Sequence, residues 1–142
     1  MNQKNISKIS KISRSGRYKK IIRMNVEELR NYCLALGADV EEKMPFQAFK
    51  AAQGVLAFYV CGHMFCYFDV DRYEVVTVKC QPDRIEDLRE RSSAVCKPYN
   101  MSPGHWIGIL PEAAEDGMMR ELVRNSYEIV KQQYTRKSHK TQ

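Results

Sequence analysis

The groups in this chain able to do chemistry are three histidines, five cysteines and a scatter of acids. His63 falls on an expected turn and His139 in a polar tail, where an imidazole is a solvated surface group. His105 differs, because it stands beside Trp106, the single tryptophan. A nucleophilic centre needs a thiol or hydroxyl, a base and a group that orients the base. Cys66 or Cys80 with His105 and Asp69 can be drawn as such a set, but spacing in sequence supplies no geometry for it. A hydrogen-bonded structural histidine is the simpler reading of His105. There is no glycine-rich phosphate loop and no His-Glu-x-x-His, and Cys61 and Cys66 lack the second pair that would complete a zinc site. No metal or cofactor is therefore expected, and a non-enzymatic role is preferred over catalysis. Glu27-Glu28 and Glu41-Glu42 read as wet helix ends.

Binding offers more candidates. Arg72 sits in an expected hairpin turn and could act as a wing against a phosphate backbone. Lys79 and Lys97 are expected to flank one sheet edge. Tyr99 and Asn100 add a stacking face and a polar contact, and His105 completes the set. The other cations of this region, Arg84, Arg89 and Arg91, are scattered. A solvated surface is the competing reading of all of them. A groove near His105, Tyr99 and Trp106 is the alternative site, suited to a small ligand or a partner protein.

The net charge of +6 is unevenly placed. Lys4, Lys8, Lys11, Arg14, Arg17, Lys19, Lys20 and Arg23 fall within residues 1–23, which contain no acid; the remainder holds 15 basic against 17 acidic residues. A slightly acidic domain lacks the electrostatic footprint of a strong duplex binder. Within residues 1–23, Ile-Ser-Lys repeats at 6–8 and 9–11 and is extended by Ile12-Ser13-Arg14. A period of three fits neither a helix face nor a strand face. The segment is expected to be a disordered basic arm, or an upstream extension with Met24 as the initiator.

The 142 residues suit one domain, with roughly two-thirds of the unfolded surface buried on folding. No run approaches the ~18 apolar residues of a membrane span, and the basic start lacks the apolar core of a signal peptide. The odd number of cysteines reads as reduced thiols in a cytoplasmic protein. Asn25 with Glu28 predicts a capping box for a first helix carrying Val26, Leu29, Cys33 and Leu36, with Gly37 as its stop. Residues 55–60 and 64–68 around Gly62 predict a hairpin, followed by a third antiparallel strand over 74–80. Pro82 opens a short helix with Ile85 and Leu88 facing inward. Residues 105–110 read as a buried strand ended by Pro111, with Trp106 as its core anchor. Met119, Leu122, Val123, Ser126, Val130 and Tyr134 mark one stripe of a last helix. The order helix, three strands, helix, strand, helix predicts an α+β domain over 24–135, an antiparallel sheet with helices packed mainly on one face, then a polar tail over 136–142.

The run Pro98-Tyr99-Asn100-Met101-Ser102-Pro103-Gly104-His105-Trp106-Ile107 resembles the asparagine-to-His-Trp signature of the MmcQ/YjbR family. Met24-Asn25-Val26-Glu27-Glu28-Leu29, Met64-Phe65, Val78-Lys79-Cys80 with Pro82, and Ser126-Tyr127 agree with it in order. The resemblance spans about residues 24–135. Gly104 departs from it, standing where the family pattern has a basic residue. The resemblance implies a CyaY-like (frataxin-like) sheet-and-helix fold and a structural signature at Trp106, Ser126 and Tyr127. It also implies the label these small bacterial proteins carry, a DNA-binding or regulatory module. The DNA sequence or ligand bound and the oligomeric state are not legible.

Overall fold

A computed structural model describes residues 22–140, with side chains described as far as Thr135. The arm expected over residues 1–23 therefore lies almost wholly outside the described residues, as do the side chains of the expected tail. The elements run α1 (Val26–Ala35), β1 (Glu41–Lys43), a 3-10 turn (Lys50–Ala52), β2 (Val55–Val60), β3 (His63–Asp69), β4 (Val76–Lys79), α2 (Pro82–Arg91), β5 (Val95–Cys96), β6 (Trp106–Ile109) and α3 (Asp116–Lys140). The six strands form one sheet in the order β1-β2-β3-β4-β6-β5, with every neighbour antiparallel. This is the α+β architecture that the sequence predicts, with two short edge strands added.

Local chemistry explains the elements. The Asn25 side chain accepts from the Glu28 N–H and the Glu28 carboxylate accepts from the Asn25 N–H, the reciprocal box that opens α1. Cys61 (φ 54°) and Gly62 (φ 78°) both adopt left-handed backbone between the paired residues Val60 and His63, the two-residue turn that matches strand twist. Gly37 acts by proximity and not by a left-handed stop: a Cβ there would lie 2.4 Å from Asp39 Oδ1 and from the Tyr127 hydroxyl.

Strand alternation divides the sheet into two unlike faces. Leu56, Phe58, Val60, Cys66, Phe68, Val76, Val78, Ile107 and Ile109 point to one face and build the core with Leu29 and Cys33 of α1, Ile85 of α2, and Met119, Leu122, Val123, Tyr127 and Val130 of α3. A bulge between Phe58 and Tyr59 of β2 leaves Phe65 of β3 unopposed, and Phe65 joins Cys66 on this face. There the ladder between β3 and β4 stops after two pairs. Ser126 of α3 takes over the strand pairing: its hydroxyl donates to the Phe65 carbonyl at 2.5 Å and accepts from the Lys79 N–H at 2.8 Å, with the residue 0 % exposed. Beside it the Tyr127 hydroxyl donates to Asp39 at 2.8 Å, and Lys131 pairs with the same carboxylate at 3.0 Å. The signature pair Ser126-Tyr127 thus fastens α3 to the sheet and to the loop after α1.

Trp106 is not a core anchor. It lies half-buried on the face opposite to the core that Ile107 and Ile109 enter. Only one parity of Trp-Ile-Gly-Ile can face the helices, and the pair of isoleucines takes that place.

Candidate binding site on the open face of the sheet

Among the described residues no helix covers the second face. It carries Val55, Ala57, Tyr59, Met64 and Tyr67, packed with Phe46 and Ala52 from the β1–β2 connection and Met101 from the β5–β6 connection. The latter connection, residues 97–105, crosses the sheet as a strap. It can pass because Gly108 has no side chain: a Cβ there would lie 2.5 Å from the Lys97 carbonyl oxygen and 2.8 Å from Cys96 Sγ. Once across, the strap is pinned at Tyr99. The Tyr99 N–H donates to the Thr77 hydroxyl at 3.4 Å, and its carbonyl accepts from the Tyr67 hydroxyl. Burial pushes the Tyr67 phenol above its ordinary range, which keeps it protonated as a donor. Asn100 follows with φ 57°, a left-handed conformation that asparagine tolerates, and turns the strap back toward Trp106.

With its backbone held at both ends, the Tyr99 ring remains 56 % exposed, and Phe49 across from it is 64 % exposed. Between them runs a groove of about 430 Å³, floored by Val55, Met64 and Tyr67 and edged by Phe46, Asn100 and Met101. Its size falls within the range of small-ligand sites, ~300–1,000 Å³. A smaller cavity of about 80 Å³ adjoins it through Val55, Tyr67 and Tyr99 and continues past Asp69, Thr77, Val75, Arg72 and Glu74. The side chains offered to an occupant are aromatic and thioether surfaces, one asparagine amide, and a guanidinium and carboxylates at one end. Lys43 Nζ lies 4.8 Å from the ring centroid of Tyr59, an open-face residue of the same strand pair.

The residues singled out in the sequence are only partly assembled. Arg72 and Tyr99 share the smaller cavity, and Tyr99 and Asn100 share the groove. Lys79 is elsewhere: it sits on the interior strand β4, and its Nζ is 2.9 Å from Gln133 Oε1 of α3 and 5.9 Å from the Trp106 ring centroid. Lys97 is exposed just past the edge strand β5, so Lys79 and Lys97 do not flank one edge. His105 is exposed and uses its carbonyl to accept from the Cys80 N–H at 2.9 Å. Neither His105 nor Trp106 lines the groove, which opens farther along the strap. The groove residues missed in the sequence, Phe46, Phe49, Met64 and Met101, carry no motif. The apolar run Met44-Pro45-Phe46 in a connection was their only signal.

The nucleophilic set does not assemble. Cys66 is fully buried beside Cys33, and burial pushes both the Cys66 and Cys80 thiols up, away from the reactive thiolate. Asp69 lies at the far end of β3, where its Oδ1 accepts from the Asp71 and Arg72 N–H groups at 2.8 and 3.1 Å. Among the described residues no three His, Cys, Asp or Glu side chains gather in a way that could hold a metal ion, and no helix is long and apolar enough to cross a membrane.

A six-stranded antiparallel sheet with helices on one face and a strap across the other defines the class of structure. The family model described as YjbR matches residues 35–129, so the chain belongs to the MmcQ/YjbR family. Among solved structures it is similar to protein DR2400 of Deinococcus radiodurans, which carries the domain DUF419, at 24 % identity and a TM-score of 0.68 over 79 % of this chain and 82 % of that one. It is also similar to a protein from Pseudomonas syringae, at 18 % identity and a TM-score of 0.63 over 75 % of this chain and 99 % of that one. At these identities the likeness concerns the fold. No curated protein matches the chain.

Proposed function

We propose that this chain is a non-enzymatic binding module that takes a flat or apolar group, from a small ligand or a partner protein, on the open face of its sheet. One observation carries the reading: Tyr99 has its backbone fixed by Thr77 and Tyr67 while its ring stays 56 % exposed over the groove. A side chain held this way loses little freedom on contact, which is what lowers the cost of binding. Exposed aromatic and methionine side chains on a concave surface are typical of recognition sites. The test is a fluorescence titration of the full chain with 1-aminoanthracene, a flat neutral probe. Saturable enhancement is expected, weakened about tenfold by Tyr99→Ala, since an aromatic contact of this kind contributes ~1–3 kcal/mol. Equal affinity in the two proteins would contradict the reading.

A second reading, binding to duplex DNA, is supported by the placement of charge. Eight cations and no acid fall in residues 1–23, whereas the rest of the chain has a slight acidic excess. Affinity in this reading comes mainly from counterion release, about 0.9 per phosphate neutralised. Replacing Lys4, Lys8, Lys11 and Arg14 by serine in the full chain should flatten the salt dependence of duplex binding. Arg72→Ala and Lys97→Ala then report any contact from the folded surface. An unchanged slope in the serine variant would move the site onto the domain.

A further inference from the structure

The groove does not end at the strap. Its smaller neighbour shares Arg72 and Glu74 with a third hollow, lined also by Tyr73, Glu112 and Ile22. The three form one trough that begins on the open face at Phe49 and Tyr99 and passes round the end of the sheet to Ile22, where Ile22 and Tyr73 pack against the helix-side core. Ile22 is the first described residue, and the chain is firmly rooted there. Arg23 donates to the Ala113 carbonyl at 3.1 Å, Met24 is 2 % exposed, and its carbonyl accepts from the Tyr73 hydroxyl at 2.6 Å. Residues 1–21 thus join the domain at the mouth of the trough.

The chemistry of trough and segment is complementary. Toward Ile22 the walls carry three carboxylates, Asp69, Glu74 and Glu112, against one cation, Arg72, with Asp71 beside Asp69; farther along they are apolar and aromatic. Residues 6–14 read Ile-Ser-Lys-Ile-Ser-Lys-Ile-Ser-Arg. A period of three matches the polyproline II helix, which has three residues per turn. In that conformation Ile6, Ile9 and Ile12 share one edge and Lys8, Lys11 and Arg14 another. Nine residues at ~3.1 Å each span about 28 Å, comparable with the seven residues of β3 at ~3.3 Å each. Residues 15–21 supply the connection.

We propose that residues 6–14 of this chain dock in the open-face trough of the same molecule, isoleucines to the apolar floor and cations to the acidic wall. The inference rests on the groove being a binding surface, and it makes the segment a competitor of any ligand there. It also sets the two functions against each other, because cations engaged with Asp69 and Glu74 are withheld from phosphate.

The test compares full-length wild type with the full-length variant Ile6→Ser, Ile9→Ser, Ile12→Ser by amide NMR. Shift differences are expected at Val55, Tyr67, Thr77 and Tyr99. The variant should also bind 1-aminoanthracene about two- to tenfold more tightly, as a site occluded for about 50–90 % of the time would when released. Groove amides identical in the two proteins overturn the docking. If the probe then binds both with equal affinity, the groove reading survives without it. Differences that vanish on tenfold dilution place the segment on a neighbouring copy and overturn the intramolecular arrangement.

Discussion

The hydroxyl of Tyr67, on the third strand of the sheet, donates to the backbone carbonyl of Tyr99, on the strap that crosses it. This contact joins two residues 32 apart in sequence and turns an exposed loop into a wall of the groove. A loop tip is ordinarily mobile. Here it is held by Tyr67 and Thr77 beneath and by the close crossing at Gly108, so the exposed ring of Tyr99 is presented in one place.

The crossing is tested by Gly108→Ala. The added methyl would meet the Lys97 carbonyl oxygen at 2.5 Å and Val75 Cγ1 at 2.8 Å, one a backbone atom and both packed. Overpacking of this kind costs ~1–3 kcal/mol. Urea unfolding should show that loss, and the Tyr99 amide resonance should move as the strap lifts. An unchanged midpoint would mean that the strap is not tightly seated.

Ser126→Ala probes the place where the last helix completes the sheet. Without the hydroxyl, the Phe65 carbonyl and the Lys79 N–H both lose their partner in a site 0 % exposed. With ~1–3 kcal/mol for each buried group left unsatisfied, a loss of about 2–6 kcal/mol is expected for the pair. Chemical denaturation measures it. A cost below about 1 kcal/mol would show that the strands close up and pair directly.

Trp106→Ala should cost less than the ~3–5 kcal/mol of a core tryptophan, about 1–2 kcal/mol, because the indole is half-buried and outside the core. The same position predicts that its fluorescence is quenched by iodide in the folded protein. Full protection from iodide would return the ring to the interior.

These residues also show what the sequence could reveal. The capping box of Asn25 and Glu28, the Cys61-Gly62 turn and the stripe from Met119 to Val130 are local patterns with local causes, and all are present in the fold. The edge strands Glu41–Lys43 and Val95–Cys96 are too short to show a period of two, and the first is wholly polar. In Trp106-Ile107-Gly108-Ile109 the size of the indole points to the core, but strand alternation gives the core face to the two isoleucines. Gly108 carried the information, since a glycine inside a strand marks a close backbone approach. The candidate site was legible at Tyr99 and Asn100 but not at Phe46, Phe49 and Met101, which only the crossing of two long connections over one face brings together.

Asp39 gives the acid limb of stability a specific contributor. Its hydrogen bond from Tyr127, then that from Lys131, holds its carboxyl below the ordinary 3.8. A carboxyl lowered on folding stabilises above its unfolded value, and that contribution is lost as pH falls through the folded one. With 39 % of the side chain exposed, solvent screens much of the effect. Between about pH 5 and pH 3, Tm should therefore fall somewhat less steeply in Asp39→Asn than in wild type. Parallel curves would remove Asp39 from the account.

The central claim is that the open face, and not the helical face or the sheet edge, is where this protein binds. Amide chemical-shift mapping of the full chain during a 1-aminoanthracene titration tests it most directly. The account predicts saturable shifts confined to Val55, Ala57, Met64, Tyr67, Thr77 and Tyr99 to Met101, with Ser126 to Lys131 unmoved. Shifts gathered instead at Ile85, Arg89, Cys96 and Gly104, which line a separate shallow hollow between α2 and β5, would contradict it.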